Sequence, residues 1–277
     1  LTLSPINLQS APPSSTSTFW WSFFVPGGGY FYLKEPARGA SYFAGTSALI
    51  GWGLAVENQR SSDELNTPFL YAQQLHTLQI YGSYRESIRR TLPANSSRKI
   101  LRDKTAPESL ALSPFKKENL KSPWVIGFAL LGCGLNYASA RLDGVQKDHT
   151  NIHSVRMLGQ TYNRETGLAM YHAYWLPVSL GAGVSEESIF RGIIQSEWEE
   201  QWGAFRGLTA ASVLFGAAHY DGHSRSAGNM LFAAVAGMYL GWRYQKTNYQ
   251  LSQSIAAHFW FDLLAGSTIY LTDPENN

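Results

Sequence analysis

The second half of the chain contains five apolar runs, and their length limits what it can fold into. The runs span residues 123–140, 166–184, 205–220, 226–244 and 250–272. They are too long for strands and lack the two-residue alternation of an outer-membrane barrel, so helices are favoured. Several approach the roughly 20 residues that a helix needs to cross a bilayer. The pattern predicts an all-α fold, a polytopic transmembrane helical bundle.

The composition agrees with partial burial in lipid. Charged residues make up 15% of the chain and hydrophobic residues 44%, whereas a soluble domain usually carries about 25% charged residues. The mean hydropathy of −0.19 points the other way, which polar loops between apolar helices would explain. With a net charge of +2 and no basic stripe with interleaved aromatics, nucleic acid is not expected as a partner. The predicted environment is a lipid bilayer.

The first half divides into three segments of different composition. Residues 1–18 are rich in Ser, Thr and Pro and predict a disordered lead. Residues 19–82 predict N-terminal membrane helices of unassigned function, of which the last, 67–82, is amphipathic. Residues 83–122 contain ten Lys or Arg and four Asp or Glu. Because basic loops favour the cytoplasmic side of a membrane, this third segment predicts a basic cytoplasmic linker.

The stretch SEESIFRG, residues 185–192, places charges between two apolar runs. On a helix, Glu187 and Arg191 face one another, whereas Glu186 is turned about 100° away from Glu187. Ionisable residues within a membrane bundle are costly and are candidates for function. The alternative is a polar face that continues through Glu197, Glu199 and Glu200. Ser185 is a candidate N-cap if a helix begins there.

Two further pairs of residues four positions apart lie in later apolar runs. Phe215 and His219 occur in VLFGAAHY, and His258 and Asp262 occur in AAHFWFD. A single histidine in such a run is usually a hydrogen-bonded core residue. Three such polar constellations on three successive apolar helices instead favour one shared site. The run at 226–244 carries small residues at four-residue steps, which predicts close helix packing and no chemistry.

These side chains could hydrolyse an amide bond. Glu186 would act as general base on a water molecule that His219 helps to hold. His258 could donate to the oxygen of the tetrahedral intermediate. Since an ionised Asp262 cannot donate, it must orient His258 or be protonated. Glu187 and Arg191 would hold the first helix in place.

The same residues fit a zinc site as well as they fit a glutamate-activated water. Glu186, His219 and His258 would be ligands of a divalent zinc with one open position for water. The sequence fixes no cofactor, and zinc is the candidate. The motifs HExxH, GxSG and GxGD of other intramembrane proteases do not occur. Two protease types therefore stay open, a glutamate-type enzyme and a zinc metalloendopeptidase.

The ordered motifs resemble those of a known family. EESIFRG, LFGAAHY, the glycine-containing helix AAVAGMYLGWRY and SIAAHFWFD are similar to the four motifs of the CAAX prenyl protease and bacteriocin-processing (CPBP, Abi) intramembrane endopeptidases. The family patterns are EExxxR, FxxxH, a glycine-containing apolar helix and HxxxN. The resemblance covers residues 165–272 and departs at Asp262, where the commoner residue is asparagine.

The resemblance implies both a function and a role for each matched residue. Glu186 is expected to be the catalytic glutamate, Glu187 and Arg191 its helix partners, His219 the water-positioning histidine, and His258 with Asp262 the oxyanion side. Residues 123–277 would form a CAAX protease-like intramembrane catalytic domain.

The implied enzyme is a multi-pass protein of the bacterial cytoplasmic (inner) membrane. It would cleave peptide bonds of membrane-associated proteins or peptides. The alternative is a non-catalytic membrane protein of the same fold, with a role in bacteriocin immunity or as a scaffold.

Overall fold

The computed structural model describes residues 12–57, 67–142, 154–157, 160–220 and 227–272. Most of these residues are helical, so the all-α prediction is confirmed. The five apolar runs of the second half coincide with five long helices. They are α6 (Pro123–Leu142), α7 (Arg164–Glu187), α9 (Ala204–Ala218), α10 (Ala227–Lys246) and α11 (Ser252–Thr272).

In the described part of the first half, four further helices precede the basic segment or extend into it. They are α1 (Ser15–Phe24), α2 (Gly28–Tyr32), α3 (Pro36–Val56) and α4 (Thr67–Thr91). Residues 1–11 of the predicted lead lie outside the described residues, but residues 15–18 are helical. The Ser14 side chain caps α1 by accepting a hydrogen bond from the Ser17 backbone N–H at 3.3 Å. The helix therefore begins within the segment that was predicted to be disordered.

A glycine-rich turn joins α1 to α2. Gly27 has φ of +74°, a left-handed conformation that favours glycine. A Cβ at Gly27 would also overlap the backbone of Gly39 at the start of α3. Below the turn, the hydroxyls of Ser22 and Ser83 meet at 2.6 Å. The turn thus folds α2 and α3 back onto α1 and α4.

The basic segment is folded against the bundle. Its first nine residues complete α4, and two 3₁₀ helices (Lys99–Leu101 and Pro107–Phe115) and α5 (Lys117–Leu120) follow. Ile100 and Leu110 are fully buried. Arg38 donates to Glu108 at 2.6 Å. Partial burial raises the pKa of Glu108, but the hydrogen bonds and charge of Arg38, a backbone hydrogen bond and the Tyr42 hydroxyl together outweigh it and leave that pKa below its usual value.

A short β-hairpin precedes α7 and was not expected from the sequence. Strands β1 (Ser154–Met157) and β2 (Gln160–Asn163) pair antiparallel. The Asn163 side chain then accepts a hydrogen bond from the Thr166 backbone N–H at 2.8 Å. This N-cap starts α7 at Arg164, so the prediction that Ser185 caps a helix is wrong. Ser185 lies within α7 because the helix continues to Glu187.

Helix α11 lies at the centre of the packing. Ile255 and Phe259 of this helix, and Leu251 directly before it, have no exposed surface. Its neighbours Ala256 and Ala257 belong to a second apolar cluster with residues of α6 and α10. Burying a large aliphatic or aromatic side chain stabilises a fold by about 1.5–3 kcal/mol. The polar residues of α11 are therefore held on a well-packed helix.

The small residues of α10 pack closely as predicted. A Cβ at Gly237 would lie 3.2 Å from the Phe215 ring of α9. A Cβ at Gly241 would overlap Gln195 and Leu208. Close approach at these two steps brings α9 and α10 together.

The outer surface exposes many large apolar side chains. Phe205 is 74% exposed, Phe24 72% and Leu231 67%. Further exposed examples are Trp20, Trp21, Phe43, Trp52, Leu54, Leu112, Trp124, Leu130, Leu131, Val213 and Val235. Within the described ranges, none of the helices combines the length and the apolarity required of a membrane span.

Candidate active site

The site begins where α7 changes into a π-helix. Residues Ser188–Gln195 form this π-helix, and α8 (Ser196–Trp202) continues from it. The wider turn of a π-helix is rare and occurs frequently at functional sites. Glu186 and Glu187 are the last two residues of α7 before the change.

Glu187 and Arg191 form a buried pair that anchors the π-helix. Glu187 has no exposed surface and Arg191 is 1% exposed. Arg191 Nε lies 3.3 Å from Glu187 Oε2, and its NH2 group donates to the Gly237 carbonyl at 3.0 Å. The guanidinium also stacks over the Phe215 ring, 4.4 Å from its centroid. The predicted helix partnership is present and reaches α9 and α10.

His258 connects this pair to α11. Its Nδ1 lies 2.9 Å from Glu187 Oε1, so the ring N–H donates to that carboxylate. Its Nε2 lies 3.4 Å from Asp262 Oδ2. The imidazole is thus held between two carboxylates, and an imidazolium could donate from both nitrogens. Asp262 is placed to orient His258, which is one of the two roles that the sequence left open.

Glu186 points away from Glu187, toward the two histidines. Its Oε2 lies 3.7 Å from His219 Nε2 and 4.0 Å from His258 Nε2. The Glu186 side chain is 33% exposed, whereas that of Glu187 is completely buried. The ~100° rotation between consecutive helical residues separates the two carboxylates. The Glu187 carboxylate points into the packed interior, and the Glu186 carboxylate faces a space that a ligand can enter.

His219 is the C-cap residue that directly follows α9, and this helix orients its side chain. Its Nδ1 lies 2.8 Å from the Phe215 carbonyl oxygen, which accepts a hydrogen bond from the ring N–H. That bond leaves Nε2 as an acceptor facing Glu186. The Phe215 ring packs 4.5 Å from the imidazole. Phe215 therefore positions both His219 and Arg191, which accounts for a phenylalanine four residues before the histidine.

Two cavities flank this cluster. A cavity of about 250 Å³ lies between α9, α10 and α11, and its lining includes His219, His258, Asp262 and Asn229. A second cavity of about 360 Å³ includes Glu186 in its lining. Its other walls come partly from α1 and α4, through residues such as Phe19, Phe23, Gln73 and Thr77. The sequence did not single out Asn229 or these N-terminal residues, because they contact the site only through the tertiary fold.

The metal interpretation gains no support from the geometry. Among the residues that the structure describes, no group of three or more His, Cys, Asp or Glu is arranged to hold a metal ion. The predicted ligands Glu186, His219 and His258 are among these residues. Zinc therefore has no part in the chemistry proposed below.

A comparison with protein-family models shows which known proteins this site resembles. Residues 169–264 match the family model described as type II CAAX prenyl endopeptidase Rce1-like. This segment is similar to the CAAX proteases. The CAAX protease-like segment extends from the first half of α7 into α11 and includes all six predicted site residues. No curated protein and no solved structure matches the chain.

The match to the family model covers only part of the helices. The CAAX protease-like segment contains the π-helix, α8, α9 and α10. Helices α1 to α6 lie outside it, although α1 and α4 contribute to the cavity beside Glu186. The six predicted site residues therefore all lie in the part of the chain that is similar to a protease family.

Proposed function

We propose that this protein is a membrane-embedded endopeptidase that uses a water molecule activated by Glu186. The observation that carries the proposal is the environment of Glu186 Oε2. This buried oxygen accepts no hydrogen bond from any described residue, and it faces the ring nitrogens of His219 and His258. A buried carboxylate oxygen without a donor is costly unless a ligand supplies one. A water molecule is the simplest such ligand.

The proposed first step is attack by that water on the scissile carbonyl. The water donates one hydrogen to Glu186 Oε2 and the other to His219 Nε2, so its oxygen lone pair is free to attack. As the C–O bond forms, Glu186 takes a proton and the carbonyl π electrons move to the carbonyl oxygen. The result is a tetrahedral intermediate that carries a negative charge on that oxygen.

The second step breaks the peptide bond. The carbonyl re-forms, the C–N bond breaks and the leaving amine takes the proton from Glu186. His258 donates to the charged oxygen during both steps, because charge develops on that side of the intermediate. Glu187 and Arg191 keep His258 and the π-helix in position without contacting the substrate.

The surface supports a location in a membrane. Exposed aromatic and aliphatic side chains such as Phe24, Phe205 and Leu231 are of the kind that lie against lipid in membrane proteins. We propose a multi-pass arrangement in the bacterial cytoplasmic membrane, with membrane-associated peptides or proteins as substrates.

Cleavage by purified full-length protein tests the proposed function. In detergent, the protein should cut a subset of a mixed apolar peptide library, with new termini detected by mass spectrometry. His219→Ala should lower kcat by about 100-fold, because the water loses one of its two acceptors. His172→Ala is the matched control, since His172 lines neither cavity and contacts the Leu168 carbonyl oxygen and the Ser267 hydroxyl. Equal cleavage by wild type and His219→Ala would contradict the mechanism.

The metal question has its own test. We expect protein treated with 1,10-phenanthroline or EDTA and then freed of chelator to retain its activity. Elemental analysis of the active preparation should find no stoichiometric zinc. Loss of activity on chelation, with recovery when zinc is restored, would replace the glutamate-type mechanism with a metalloendopeptidase.

A further inference from the structure

The cavity beside His258 contains an amide side chain that none of the four motifs includes. Asn229 lies in the first turn of α10. It lines the 250 Å³ cavity together with His219, His258 and Asp262. An asparagine amide carries two N–H donors, so one can serve a substrate while the other keeps a contact within the protein.

The position of Asn229 on its helix explains why it reaches this cavity. Asn229, Ala233, Ala236 and Leu240 follow one another at helical spacings of four, three and four residues, and all four line the cavity. Residues at such spacings share one helical face. The alanines are small, so this face of α10 leaves room for a substrate group beside the amide.

Asp262 creates the need for another donor. The family pattern has asparagine at this position, and an asparagine amide can donate to an oxyanion. The Asp262 carboxylate is an acceptor when ionised, and its Oδ2 lies 3.4 Å from His258 Nε2. It therefore competes with the substrate for the same His258 donor. Without a second donor in the cavity, the charged oxygen of the intermediate would be poorly stabilised.

We propose that Asn229 donates an amide N–H to the oxygen of the tetrahedral intermediate. It thereby compensates for the aspartate at position 262. This assignment rests on the proposed function and adds a catalytic residue to it. The donor comes from α10, whereas the family pattern supplies an amide from α11.

Kinetic measurements on two substitutions test the assignment. Asn229→Asp keeps the shape but replaces the amide, and Asn229→Leu removes the donor without adding charge. Both should lower kcat by about 100-fold, with KM changed less than about twofold, because the donor acts mainly on the charged intermediate. If only the aspartate variant loses activity, charge repulsion explains the loss and the proposal is overturned.

Introducing an amide at position 262 should rescue the activity that Asn229→Leu loses. Asp262→Asn introduced into Asn229→Leu should recover at least about tenfold of the lost kcat, because it supplies a donor from α11. Asn95→Asp is the matched control, since Asn95 is an exposed loop residue. Wild-type kcat in the Asn229→Leu single variant, or no recovery in the double variant, would overturn the proposal.

A binding experiment separates this proposal from the proposed function. The full-length Glu186→Gln variant would be titrated with a phosphinic peptide, whose charged oxygens resemble the tetrahedral intermediate, and with the corresponding amide peptide. Adding Asn229→Leu should weaken phosphinic peptide binding at least about tenfold and amide peptide binding less than about twofold. Equal weakening of both would overturn the role of Asn229, even if the wild type cleaves. Selective weakening supports it, even if no cleaved peptide has been found.

Discussion

Glu186→Gln is expected to lower kcat by about 10⁴-fold, the upper end of what acid–base catalysis contributes. Glutamine keeps the size of the side chain but cannot accept a proton from water. Glu186 has two tasks in the proposed mechanism, since it activates the water and then protonates the leaving amine. One substitution therefore affects both steps. The measurement is single-turnover cleavage of a peptide identified with the wild-type protein.

Glu165→Gln is the matched control for this variant. Glu165 is an exposed acidic residue in the first turn of α7, the same helix that ends with Glu187. It should cleave at the wild-type rate. Helicity and thermal unfolding of Glu186→Gln should match the wild type, because its side chain is not part of the Glu187–Arg191 pair. A Glu186→Gln variant with normal kcat would remove Glu186 from the mechanism.

The second large effect is on stability. Glu187→Ala should reduce the free energy of unfolding by about 3–5 kcal/mol, because it leaves Arg191 buried without its carboxylate. Arg191 is almost fully buried and reaches the Gly237 carbonyl and the Phe215 ring. Its uncompensated charge should therefore loosen the contact between the π-helix and α10. Unfolding in detergent, followed by circular dichroism, measures the difference.

Two further variants sharpen the stability prediction. The double variant Glu187→Leu with Arg191→Met should be more stable than Glu187→Ala, because it removes both charges together. It should nevertheless lose activity, since His258 Nδ1 then lacks its carboxylate acceptor. Arg89→Ala, which breaks an exposed pair with Glu86, should cost less than about 1 kcal/mol. A similar cost for Arg89→Ala and Glu187→Ala would contradict the assigned role of burial.

The long helices were predictable because their signal is local. Apolar runs of helical length identified α6, α7, α9, α10 and α11, with ends within a few residues of those observed. Residue spacing also identified the Glu187–Arg191 pair, since residues four apart share a helical face. The hairpin before α7 was missed because its strands are only four residues each. The basic segment was difficult to predict because its 3₁₀ helices have no sustained apolar period.

The cluster around Glu186 was predictable in membership but not in geometry. The order and spacing of the four motifs were enough to identify Glu186, His219 and His258. They did not show which ring nitrogen faces which carboxylate, because that depends on the rotation of three helices about one another. The contact of His258 Nδ1 with Glu187, 71 residues away in the chain, shows this dependence.

The sequence by itself determined the helical fold, the order of the motifs and the separation of the two glutamates. These properties follow from apolar periodicity and from the fixed rotation of about 100° per helical residue. Tertiary structure decided that His258 lies beside Glu187, that Asn229 lines the cavity next to His258, and that α1 and α4 border the space next to Glu186. These contacts join residues far apart in the chain, and they depend on how whole helices pack. Local spacing carries no information about that packing.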